Sequence, residues 1–222
     1  MPTILITGAA RGLGLELARQ YASDGWRVVG TARGSAPELE ATGARVLELE
    51  VTDFPAAKRI SQALNGEAID LLFLNAGIIG KRGMALGRFD YAEWEKVLRV
   101  NLLGAAAVIE ALVDNVAASE RKTIAVMSSQ LGSISETSGD TLPYATSKAA
   151  LNLLARGLAV KLSQKDIVVV ALSPGWVRTG MGGESAPLAP EISVKGLRKV
   201  LAGLRRQDSG SFLSYDGTTI PW

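Results

Sequence analysis

Seven short apolar runs, rich in Val, Ile and Leu, recur along this chain, and helix-like stretches separate most of them. The runs fall at 2–7, 26–31, 44–49, 69–74, 121–127, 167–172 and 211–214; the helical patterns lie near 12–24, 55–65, 89–117, 143–164 and 191–206. Signals for hairpin turns are scarce. A strand, a crossover helix and a second strand bring the chain back in parallel, so this alternation predicts a parallel sheet with helices on both faces. Right-handed crossovers then make the doubly wound, Rossmann arrangement the expected one. The fold class is α/β: a single domain over 1–222, built on a seven-stranded parallel sheet. A chain of 222 residues suffices for one such core. No repeat, linker or second domain is visible.

In a doubly wound sheet, ligands bind beyond the carboxyl ends of the strands. The unusual residues of this sequence collect there: Gly8–Gly14 after the first run, Arg33 after the second, Asn75-Ala76-Gly77 after the fourth, Ser128-Ser129 after the fifth and Pro174-Gly175 after the sixth. Core packing alone would not gather Gly, Asn, Ser and Pro at one edge. The first of these segments, T-G-A-A-R-G-L-G, places Gly8, Gly12 and Gly14 between a strand and a helix. Glycines there allow a tight turn and close approach of backbone N–H groups, and the helix N-terminus favours an anion. The spacing is G-x-x-x-G-x-G instead of the common G-x-G-x-x-G. Strand-to-helix glycine turns also occur without ligands, so the loop by itself leaves phosphate binding open.

The chain has no His and no Cys, which removes Ser-His-Asp chemistry, thiolate nucleophiles, disulfides and most zinc sites; no metal site is expected. Proton chemistry must come from elsewhere, and P-Y-A-T-S-K supplies it. Tyr144 and Lys148 stand at i and i+4 on a helical stretch, hence on one face. A free phenol titrates near ~10. A neighbouring ammonium is expected to lower that value and make Tyr144 a general acid/base.

The net charge of +2 is too small to argue for nucleic acid, although the pI of about 8.9 leans basic. The most apolar stretch, N-L-L-G-A-A-A-V-I-E-A-L-V, is interrupted by Glu110 and too short to span a membrane. Met1 leads into the first strand without a basic leader, and the lack of Cys suits a reducing compartment, so a cytoplasmic location is expected.

Taken together, T-G-A-A-R-G-L-G, N-A-G at 75–77, N-L-L-G at 101–104, S-S-Q-L-G at 128–132, Y-A-T-S-K at 144–148 and S-P-G-W-V-R-T at 173–179 resemble the short-chain dehydrogenase/reductase family over essentially the whole chain. The segments P-G-W-V-R-T-G-M-G-G and Y-D-G-T-T-I-P-W are similar to its small C-factor-like and sniffer-like carbonyl reductases. The resemblance implies a nicotinamide cofactor and a catalytic set of Asn101, Ser129, Tyr144 and Lys148. Tyr144 would exchange a proton with the substrate oxygen, and Ser129 would hydrogen-bond it. Lys148 would hold the ribose and tune the phenol, and Asn101 would hold a relay water. Ser128 is the alternative to Ser129, which starts the S-x-x-G pattern. Cofactor contacts are implied for Gly8, Arg11, Gly12, Leu13, Gly14, Arg33, Glu50, Val51, Asn75, Ala76, Gly77, Tyr144, Lys148, Pro174, Gly175, Val177 and Thr179. Glu50 stands where the family usually has an Asp facing the adenine, and Asp53 reads as a helix N-cap.

An NAD site usually places an acid after the second strand. Here Arg33 stands there, no Asp or Glu comes before Glu38, and Arg11 offers a second cation. Each alone is equally a solvated surface arginine; together they favour NADP(H) over NAD(H), because a guanidinium fork matches a 2′-phosphate. Segment 178–190 reads as a mobile loop over the substrate. Trp94 reads as a packing residue and Trp176 as a possible pocket wall. The cluster Lys195, Arg198, Lys199, Arg205 and Arg206 reads as a solvated face. The resemblance also implies a homodimer or homotetramer, with helices 89–117 and 143–164 pairing between subunits, although their small residues suit close approach to a sheet equally well. The reaction expected is hydride transfer between the nicotinamide and a small apolar carbonyl or alcohol. A nucleotide-binding signalling protein without turnover, of the C-factor type, is the alternative; dehydration or epimerisation on the same scaffold is a third.

Overall fold

All seven apolar runs form strands: β1 (Thr3–Ile6), β2 (Arg27–Ala32), β3 (Arg45–Glu48), β4 (Leu71–Leu74), β5 (Thr123–Met127), β6 (Val168–Ser173) and β7 (Phe212–Ser214). The structure is a computed structural model describing residues 1–222. Every strand pairing in the sheet is parallel, in the order β3-β2-β1-β4-β5-β6-β7. The expected doubly wound sheet is therefore present. From β1 the chain winds outward through β2 and β3, then crosses back to lay β4 on the other side of β1. A crevice opens where the winding reverses, at the carboxyl ends of β1 and β4.

Alternate residues of each strand face opposite layers. Leu5, Val29, Leu72 and Val126 pack with α3 (Phe54–Leu64), α5 (Ala105–Ala117) and α6 (Leu142–Lys161). Ile4, Ile6, Phe73 and Val170 pack with α1 (Gly12–Ser23) and α7 (Pro190–Gly203). Because both faces are covered, the strands read as unbroken apolar runs.

The helices depart from expectation in three places. P-E-L-E forms a single turn, α2 (Pro37–Glu40), anchored by the fully buried Leu39; four residues are too few to show a period. The helix expected over 89–117 is α4 (Tyr91–Leu98) continuing into α5 through a π-helical turn, Arg99–Gly104. Asp53 occupies the N-cap of α3, but its carboxylate bonds Arg59 at 2.7 Å and makes no cap bond. Arg198 is likewise not part of a solvated face. It donates to Gln20 Oε1, pairs with Asp24 and lies 4.9 Å over the Tyr21 ring, docking α7 on α1. Trp94 packs as read, edge-on to Phe89 and donating to Thr146 Oγ1 at 3.0 Å, which fastens α4 to α6.

Phe73 is fully buried in the middle of β4, one residue from the end that opens into the crevice. Replacing it with Ala is expected to cost about 3–5 kcal/mol through lost transfer energy and the cavity left behind, read as a lowered midpoint in chemical denaturation.

Candidate active site

The glycine segment enters the crevice directly from β1. Gly12 adopts φ +57, opening the chain into α1, whose first turn carries no acidic side chain. The first backbone N–H groups of a helix have no partner within it. Arg11, at the N-cap, is extended and makes no side-chain cap bond. A Cβ built on Gly12 would meet only Thr179 Cγ2, at 3.9 Å, so the loop after β6 comes up beside the glycine segment. On Gly14 a Cβ would fall 2.5 Å from both Asn75 Nδ2 and Gly8 O, so only glycine lets α1 approach the end of β4. Asn75 fixes that approach by donating from Nδ2 to Thr7 O and Gly8 O, each at 3.0 Å. A glycine turn that leads into a helix N-terminus without an acidic side chain fits a dinucleotide's pyrophosphate.

The other expected cofactor residues lie in this segment or follow β2, β3, β4, β5 and β6. Leu13 packs onto the α1 side of the core. Ala76 backs Gly8, its Cα 3.0 Å from where a Gly8 Cβ would be. Gly77 lies against Asn101 Oδ1 and Lys148 Nζ, 3.3 and 3.5 Å from its would-be Cβ. Val51 packs against Gly104 of the π-helical turn. Pro174 O accepts from Ser193 Oγ, and Gly175, at φ +77, turns the chain toward the buried Val177. Arg33 and Glu50 meet at 3.5 Å, and Glu50 also accepts from the amide and hydroxyl of Thr52. The adenine-facing carboxylate expected at Glu50 is thus turned toward the arginine expected to hold a phosphate.

The proton-handling residues come from β5, α6 and the π-helical turn. Ser128 is buried and donates to Asn152 Oδ1 at 2.6 Å, pointing away from the crevice. Its neighbour Ser129 faces the Tyr144 phenol. Consecutive extended residues point to opposite sides, which separates the two serines. Lys148 is 3% exposed; its ammonium donates to Met127 O at 2.7 Å and lies 5.6 Å from the centre of the Tyr144 ring. Asn101, 1% exposed, has its side-chain amide fully engaged. Oδ1 accepts from Ile78 N, and Nδ2 donates to Ile78 O and Ser147 Oγ.

The electrostatics differ from the sequence expectation. Burial pushes the Tyr144 phenol up to about 12, while Ser129 and then Arg82 pull it partly back. Burial pushes Lys148 down to about 8. Spacing alone suggested an ammonium that lowers the phenol, but the ammonium sits over the ring and desolvation dominates. The phenol consequently holds its proton at neutral pH.

Three residues escaped the sequence reading. Ser147, inside Y-A-T-S-K, accepts from Asn101 and donates to Tyr144 O, tying the π-helical turn to α6. Thr141 takes φ +48 at the start of α6, an unusual conformation for a β-branched residue, and its hydroxyl is buried without a partner. Arg82, from the irregular segment after β4, reaches Met181 O at 2.6 Å. Only Ser147 lay inside a readable motif. Several bonds tie the loop 178–190, which the sequence marked as irregular, to itself and to Trp176. Arg178 donates to Ala186 O and Pro187 O, Trp176 Nε1 donates to Gly182 O, and Ala186 is buried. Trp176 itself is 57% exposed.

Comparison with known proteins agrees with this geometry. The family model described as short chain dehydrogenase matches residues 2–188. C-signal of Myxococcus xanthus is 38% identical over 155 residues, 69% of this chain and 93% of that protein. Carbonyl reductase Sniffer of D. melanogaster superposes with a TM-score of 0.91 at 32% identity, covering 100% of both chains. A short-chain dehydrogenase/reductase from Burkholderia multivorans with bound NADP superposes at 0.90 with 33% identity, covering 100% of this chain and 99% of its own. No helix is long and apolar enough to cross a membrane.

The buried ammonium gives a pH signature. Lys148 titrates at about 8 in the fold against 10.5 when exposed. Below pH 8 the full penalty, ~3 kcal/mol, is present. Between pH 8 and 10.5 the native state sheds the proton that the unfolded chain keeps, so stability rises with pH. Urea midpoints for the unaltered chain are expected to rise from pH 7 to 9.5 relative to those of Lys148→Met. Parallel pH curves would count against a buried charge at this position.

Proposed function

The chain belongs to the short-chain dehydrogenase family of oxidoreductases, and on that premise we propose that it is an NADP(H)-dependent reductase of small carbonyl compounds. The observation that carries this reading is the meeting of a proton-holding Tyr144, Ser129 and Lys148 at the crevice whose opposite wall is the glycine segment. Gly8, Gly12 and Gly14 would hold the pyrophosphate, Asn75, Ala76 and Gly77 the adenosine side, and Pro174, Gly175, Val177 and Thr179 the nicotinamide side. The nicotinamide, when bound, supplies the hydride.

The residues of the chain handle the proton and the charge. Ser129 donates to the carbonyl oxygen and stabilises the charge that grows there. Tyr144, whose burial keeps the phenol protonated, gives its proton to that oxygen as the alcohol forms. Lys148, poised to titrate at about 8, stands beside the phenol to support the return of a proton. Asn101 holds the segment after β4 in place, with Ser147 orienting it from α6. Tyr144→Phe is expected to lower NADPH-dependent carbonyl reduction by about 10²–10⁴-fold while NADPH still binds, followed by tryptophan fluorescence. The similarity to C-signal favours a second reading, a nucleotide-binding signalling protein. Tight NADPH binding without reduction of any aldehyde, ketone or quinone would select it.

Arg33 and Arg11 support NADP(H) over NAD(H). Arg33 follows β2 and Arg11 is the N-cap of α1, both exposed, and the only carboxylate on Arg33 is the half-exposed Glu50 at 3.5 Å, a weak competitor for a 2′-phosphate. Arg33→Ala is expected to weaken NADPH binding by at least about tenfold and to leave NADH nearly unchanged. Equal losses for the two cofactors would reject the assignment.

A further inference from the structure

The segment Ile79–Arg88 leaves β4 at the crevice and crosses toward the loop after β6. It carries Lys81, Arg82 and Arg88, and none of its residues is buried. Arg82 is the member that reaches the site. One of its terminal nitrogens donates to Met181 O at 2.6 Å, holding the guanidinium between the two loops that flank the catalytic residues. Its charge is felt at the Tyr144 phenol. A guanidinium has five N–H donors in a fixed fork, and this single bond is the one that Arg82 makes within the chain. None of the salt bridges includes it.

The buried lysine of the site and the arginine of the loop after β6 are already committed. Lys148 is buried on Met127 O, and Arg178 spends its guanidinium on the carbonyls of Ala186 and Pro187. Arg82 is therefore a positive charge anchored at one nitrogen, open at the rest, within electrostatic reach of the proton donor. A planar fork held at one corner suits a planar anion best, because the remaining N–H groups can meet a carboxylate side by side.

We propose that Arg82 recognises a carboxylate on the substrate, so that the preferred carbonyl compounds carry an acid group at the end remote from the carbonyl. This rests on the reductase reading above and adds a charged end to a substrate that the sequence suggested would be small and apolar. While the carboxylate lies on Arg82, the carbonyl oxygen meets Ser129 and Tyr144. The bond to Met181 O keeps the loop after β6 drawn over the substrate.

The test compares 4-carboxybenzaldehyde with its methyl ester under saturating NADPH, for the unaltered chain, Arg82→Gln and Arg82→Lys. The unaltered chain is expected to favour the acid in kcat/KM by about tenfold or more. In Arg82→Gln that preference collapses through a raised KM for the acid, the ester falling by less than about threefold. Arg82→Lys keeps part of the preference, and added salt erodes it for the acid only. An acid-to-ester ratio unchanged in Arg82→Gln overturns the inference. So does equal loss of both substrates, which marks Arg82 as a strut between loops. If the unaltered chain reduces neither compound and no other carbonyl, yet binds NADPH, the reductase reading has failed with it. Turnover of the ester alone sinks only the carboxylate.

Discussion

The hydrogen bond from Lys148 Nζ to Met127 O organises the catalytic side of this molecule. An ammonium is almost never buried without compensation, and here a single main-chain carbonyl at the end of β5 faces it. That bond fixes the height of α6 against the sheet. It thereby places Tyr144, one turn earlier, over the end of β5 where Ser129 emerges. Gly77 and Gly132 give the lysine room: a Cβ on Gly132 would fall 2.9 Å from the Lys148 Cβ. The cost of the buried charge is met by the two hydrophobic layers that clamp the sheet, so stability made in the core is spent at its edge.

A second constraint joins three separate parts of the chain. The π-helical turn between α4 and α5 carries Asn101 into the interior, where its amide satisfies both main-chain groups of Ile78 and reaches Ser147 on α6. An α-helix with an extra residue in one turn is less stable than a regular one, and such turns cluster at functional sites. Here it converts a helix-packing problem into a rigid brace between the segment after β4, the α4–α5 unit and α6. The brace and the lysine bond approach α6 from different directions, so the helix can neither slide nor roll without breaking one of them.

Much of this was legible in the sequence, for definite reasons. β1 and β6 read correctly because strands covered on both faces leave unbroken apolar runs. Gly14 and Asn75 were found because a close approach restricts what can stand at each position. The choice between Ser128 and Ser129 needed the pattern that follows, and the extended backbone then sent the first to Asn152 and the second to Tyr144. Charge balance was misread where burial decides it: the four-residue spacing of Tyr144 and Lys148 says that they are neighbours and nothing about how dry they are. Gly and Pro content marked 178–190 as irregular but conveyed nothing of the bonds made by Arg178 and Trp176. Arg82 left no trace at all, since an irregular segment has no period to read.

The segment Ile79–Arg88 crosses the mouth of the crevice yet contributes no residue to either hydrophobic layer. Its glycines are held by backbone need, Gly80 at φ +71 with a would-be Cβ 2.5 Å from Val97, but its long side chains carry none of the core. Substitutions at exposed side chains such as Lys81 and Arg82 can alter what enters the crevice without touching the strands, the brace or the lysine. A lineage carrying this scaffold can accordingly drift in substrate preference at nearly constant stability, with the chemistry inherited intact.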